Sequence, residues 1–267
     1  MPRRSPRILA LVLLGSAAFA GPAAALTMTT FNACATAGAP LGQADKIDGT
    51  GGNAIGAGSG APYNLIHTDD AIVCLGQHFP DATVNTAAQF INEVANTASH
   101  ELGHLLGLEH ADGNAGSLMN GAFDGTNKSF SDPDELSVLN AQPSYTQVVF
   151  LDFGLASSEI PGANPYVSFA NAAVLGAYGI AGGAAIAAAI SSIVTQIAGD
   201  YAGPWTSGAT FDFYTSEVAA LQAALQANGD LDFTTVLFVG APEPTTVALL
   251  GGGLLALAAA RRRARAG

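Results

Sequence analysis

The feature that most constrains this chain is one eleven-residue run, His100-Glu101-Leu102-Gly103-His104-Leu105-Leu106-Gly107-Leu108-Glu109-His110. His100 and His104 are four residues apart, so on a helix both imidazoles leave the same face. Gly107 can take a positive φ and break the helix. The chain can then turn and bring His110 back to the same point. Three neutral imidazoles leave a fourth position for water, as a catalytic zinc requires. Glu101 lies beside the first ligand, where it can take a proton from that water. A helix of this kind could also hold a structural metal, or none.

The run matches the metzincin signature, in which a methionine turn follows the third histidine. Ser117-Leu118-Met119-Asn120 resembles that turn, and Met119 follows His110 at a spacing close to that of the matrixin branch. The resemblance implies a mixed twisted α/β (α+β) sheet with a long zinc-binding helix, and Met119 as an apolar floor under His100, His104 and His110. It implies a zinc-dependent metallopeptidase in which Glu101 activates water against a peptide carbonyl. Protein or peptide substrates would then add as a strand to the sheet edge, for which 71–75 is the candidate. Two departures leave the branch open. Gly121 stands where some metzincins place a tyrosine ligand, and the Met-Tyr-Pro sequence usual in matrixins is absent. The rival reading is a zinc-containing surface or matrix binding protein with little turnover, which would have no need of Glu101.

Both termini read as addresses. Arg3, Arg4 and Arg7 precede an apolar stretch at 8–20, and Ala18-Phe19-Ala20 and Ala23-Ala24-Ala25 are acceptable cleavage sites. Residues 1–25 are therefore expected to be a secretion signal, the alternative being a retained anchor. At the other end Pro242-Glu243-Pro244 is followed by an apolar run at 247–260 and by Arg261, Arg262, Arg263 and Arg265. That run is short for a free-standing transmembrane helix, which prefers ~20 residues. Motif, apolar helix and arginine cluster, in that order over 241–267, resemble the PEP-CTERM sorting signal of Gram-negative bacteria. The resemblance implies membrane attachment before processing, cutting by an exosortase, and a periplasmic, surface or extracellular destination. A permanent anchor is the alternative.

Removing both ends leaves Lys46 and Lys128 as the only Lys or Arg residues, against twenty acids. Such a body cannot neutralise phosphates, which excludes nucleic acid as a partner. It is compatible with bound calcium beside the zinc. Cys34 and Cys74 would meet an oxidising compartment, and we expect a disulfide between them. Closing a loop of that length contributes roughly 4 kcal/mol in the chain-entropy model. The alternative, a Cys34 thiolate blocking the zinc, lacks the surrounding motif of known pro-segments.

Hydrophobic spacing completes the reading. A Gly-rich loop at 49–60 precedes a short strand at 71–75, and Asp81 is a plausible cap for a helix from about 83 to 106. His67 and His78 lack partner spacing and read as loop or surface residues. A loop at 107–131 leads to a helix announced by Asp132-Pro133-Asp134-Glu135. Strands follow at 148–153, 210–214 and 234–239, with helices at 184–201 and 217–227. An ordinary metzincin places such a strand–helix–strand set before the zinc helix. We therefore expect residues 26–240 to be one catalytic domain that is circularly permuted, with a zinc-site half at 26–145 and a strand/helix half at 146–240. An independent α/β domain at 146–240 is the alternative.

Overall fold

The computed structural model describes residues 34, 41–44, 70–78, 80–111, 113–155, 166–203 and 205–240. The expected secretion signal at 1–25, the Gly-rich loop, His67 and the C-terminal sorting segment lie outside these residues. Six strands are described: β1 (Gly42–Ala44), β2 (Ala71–Cys74), β3 (Thr146–Asp152), β4 (Val167–Ser168), β5 (Thr210–Tyr214) and β6 (Thr234–Gly240). The main helices are α1 (Ala87–Leu105), α2 (Pro133–Ala141), a short α3 (Val174–Ala177), α4 (Gly183–Asp200) and α5 (Glu217–Ala227).

All six strands belong to one mixed sheet, ordered β1-β2-β6-β3-β5, with β4 also paired to β6. The pairs β2–β6, β6–β3 and β3–β5 are parallel, whereas β1 runs antiparallel to β2. The central strands are buried along almost their whole length, which is why β3 and β6 read as unbroken apolar runs. The chain crosses outward from β3 to β5 through α4, then back past β3 to β6 through α5. Crossovers of one hand in opposite directions put the two helices on opposite faces. Accordingly Val149, Leu151, Val236 and Phe238 share a core with α1 and α4, and Val148 and Phe150 pack against Ala220 and Ala224 of α5.

Three sequence expectations change here. The 71–75 run is not a sheet edge, because β2 is bonded to β1 on one side and β6 on the other; the edge position belongs to β1. Three residues containing a glycine are too short for a periodicity signal. Asp81 does not cap the long helix. Its carboxylate accepts from the amides of Thr83 and Val84 in the preceding loop, while Thr86 caps α1 in a reciprocal box with Gln89. His78 is in a loop but not at the surface: it is buried, 3.3 Å from Glu93 and edge-on to Phe90. α1 itself ends where expected, with Gly107 at φ 92°.

Cys34 and Cys74 form a disulfide, and both are buried. The bridge ties the segment ahead of β1 to the end of β2, where the Cys74 amide also donates to Leu41 O at 2.7 Å.

Candidate metal centre

α1 delivers His100 and His104 to one side of the helix, and the turn at Gly107 returns His110 to face them. The three Nε2 atoms form a nearly equilateral triangle, with sides of 3.0, 3.1 and 3.2 Å. Tetrahedral zinc–imidazole bonds of about 2.0–2.1 Å would space such nitrogens at roughly 3.3 Å, so the triangle fits. The donor chemistry fits as well. His100 Nδ1 lies 2.8 Å from Leu118 O, and His104 Nδ1 lies 2.8 Å from Leu108 O. A carbonyl can only accept, so both Nδ1 atoms carry hydrogen and both Nε2 atoms present lone pairs to the centre. Converging lone pairs repel one another unless a cation sits among them. Burial, opposed by the hydrogen bond to Leu118, lowers the pKa of His100 to about 4, which keeps it neutral and ready to ligate.

Met119, in the turn after His110, is fully buried. Its sulfur is so close to Gly103 that a Cβ there would stand 2.7 Å from it. Gly103, between the two helical histidines, is what lets the methionine turn approach α1. The turn's amide at Leu118 is bonded to Ser129 O at 3.0 Å. The loop beyond it is tied to α1 by Asn92 to Gly125 O and by Asn96 to Thr126 O, while the Lys128 amide donates back to Asn96. Phe123 of that loop is edge-on to His100, and the buried Lys128 ammonium lies over Phe123 and donates to Ala122 O.

Glu101 is buried next to the first histidine. It lies against the edge strand: a Cβ on Gly42 would be 2.6 Å from Glu101 Cγ and 2.7 Å from its Oε1. Nothing in the sequence singled out Gly42, since its importance lies in a contact with a residue almost sixty positions away. A cavity of about 330 Å³ opens beside His110 and is lined partly by Glu109, Asp132 and Asp134, which give it a negative wall. Among the described residues, His100, His104 and His110 are the group that converges as metal ligands do; no carboxylate cluster there answers the calcium expectation.

Comparison with known proteins matches residues 241–263 to the PEP-CTERM protein-sorting motif. No metalloprotease family model is matched. No curated protein and no solved structure matches the chain. The motif and the disulfide agree on an extracytoplasmic destination. The chain is thus an exported protein, sorted to the cell surface and processed by exosortase, whose body carries a three-histidine group able to hold a metal ion.

Proposed function

We propose that the exported chain is a zinc endopeptidase acting at the cell surface or outside it. The observation that carries this reading is the convergence of three Nε2 atoms, with a buried glutamate, Glu101, next in sequence to the first of the histidines and outside their group. When bound, zinc supplies a Lewis acid that polarises the scissile carbonyl and acidifies water. Glu101 takes the proton released as water attacks and later delivers it to the leaving amine. The carbonyls of Leu118 and Leu108 hold His100 and His104 in the ligating tautomer. A substrate strand adds to the outer edge of β1, whose Gly42 touches Glu101, so the peptide is laid down next to the base.

The same reading makes 26–240 one permuted catalytic domain. Placed ahead of β1, the strand/helix half supplies β3-α4-β5-α5-β6 before the zinc helix. Support comes from the shared sheet: β2 of the zinc-site half pairs with β6 of the other half, and α1 packs on α4.

The test is hydrolysis of a generic protein by the exported form, with and without a chelator. We expect chelator-sensitive cleavage. Stoichiometric zinc without turnover would instead identify a surface binding protein.

A further inference from the structure

We propose that Glu135 is a positioning residue of the metal centre, acting through the methionine turn on His100. The proposal rests on the zinc reading above. At first sight Glu135 is only the third residue of α2, reaching back to close a capping box with Asp132. That role uses one carboxylate oxygen, Oε2, which accepts from the amides of Ser131 and Asp132 at 2.9 Å each. The other oxygen faces elsewhere. Oε1 accepts from Ser117 Oγ and from the Met119 amide, the latter at 3.3 Å. Ser117 Oγ in turn accepts from the same Met119 amide at 3.0 Å.

Glu135 is only 2% exposed, far less than a helix cap requires. A carboxylate taken out of water must have its oxygens satisfied by donors, and these donors come from two separate segments. Its charge-assisted bonds therefore clamp the turn to the start of α2. Between the two clamped residues sits Leu118, whose carbonyl receives the Nδ1 hydrogen of His100. The path runs from the Glu135 carboxylate to the Ser117–Met119 backbone, then to Leu118 O and the His100 ring. Groups that orient a ligating histidine in this way tune metal affinity as well as geometry.

The measurement is zinc affinity of the full exported protein by competition with a chelator, together with the visible absorption of the Co²⁺-substituted form. Glu135→Gln keeps the shape but turns an amide hydrogen toward one pair of donors. We expect it to weaken zinc by about 10-fold and to shift the Co²⁺ bands. Glu135→Ala should weaken zinc by about 10- to 100-fold. Asp132→Ala is the control, since it damages the same helix cap without touching the turn; it also removes one charge from the cavity wall beside His110, so a small loss of affinity is expected while the Co²⁺ bands stay those of the wild type. If Glu135→Ala does not fold, the glutamine variant alone decides. Wild-type affinity and spectra in Glu135→Gln would overturn the proposal, as would an equal loss in Asp132→Ala. A wild-type protein that binds no zinc would defeat the reading of the site itself, and this inference with it.

Discussion

Two long helices pack against each other on one face of the sheet, and their composition and burial run opposite ways. α4 is apolar enough, and long enough at 18 residues, to pass for a membrane span, yet only 17% of it is buried. Just Ala189, Ile193 and Ile197 are fully covered. α1 carries Asn, Thr, Ser, Glu and His, yet thirteen of its residues are buried, Glu93, Asn96, Thr97, Ser99, His100 and Glu101 among them. The cause is tertiary. α1 is enclosed by the sheet, the edge strand, α4 and the loop after the methionine turn. α4 covers one side of α1 and β5 and turns a face of alanines and serines outward. Small apolar side chains cost little to leave in water, because the area each exposes is small. Buried polar ones are tolerated only when bonded: Asn96 holds the loop, Ser99 bonds Asp200 of α4, Glu93 lies beside His78, and His100 joins the three-histidine group. High hydropathy therefore marks the helix with less to do.

The largest expected effect tests whether α1's buried polar residues are functional. Glu101→Ala should lower peptide hydrolysis by about 10²–10⁴-fold while zinc stays bound. His104→Ala should lose the metal. Metal analysis beside a casein assay reads both, and more than a few per cent of activity in Glu101→Ala would defeat the mechanism.

Gly42→Ala should be next. Its methyl group would need the space held by Glu101 Cγ and Thr97 Cγ2, at 2.6 and 2.8 Å. We expect roughly a 10- to 100-fold drop in kcat, as for a small displacement of a catalytic group, with zinc content unchanged. Unaltered kinetics would mean that β1 does not position the base.

On α4 the contrast predicts that packing losses are confined to the three buried apolar positions. Ile193→Ala should cost about 2–4 kcal/mol in urea unfolding, through lost burial and a cavity against α1.

The two helices also meet at a titrating contact. Ser99 Oγ donates to Asp200 Oδ2 at 2.7 Å, and burial raises the Asp200 carboxyl to about 7 despite that bond. A carboxyl whose folded pKa is raised binds more protons folded than unfolded, so stability declines as pH rises from its ordinary 3.8 through about 7. Asp200→Asn should match the wild type near pH 4 and melt higher at pH 8. Parallel melting curves at both values would show that Asp200 is not buried as described. The smallest effect belongs to the exposed alanine face of α4: Ala188→Ser should stay within about 0.5 kcal/mol of the wild type. A larger loss would mean that something covers this face.

What the sequence determined by itself was whatever depends on local spacing. The i, i+4 histidines, the glycine stop and the third histidine are a local code, and the structure gathers all three at one point. The cap Asp132-Pro133-Asp134-Glu135 is equally local, and α2 begins where it predicts. Strands buried on both faces announced themselves as apolar runs in β3 and β6. Asp81 misled because an acid ahead of an amphipathic stretch can cap a loop turn as readily as a helix. Only the tertiary structure decided which strand is the edge, that Gly42 makes room for Glu101, that Glu135 reaches the methionine turn, and that polar α1 is buried while apolar α4 is not. Each of these is set by contact between segments far apart in the chain. Such contacts leave no periodicity behind, because one residue facing one distant partner has no repeat to read.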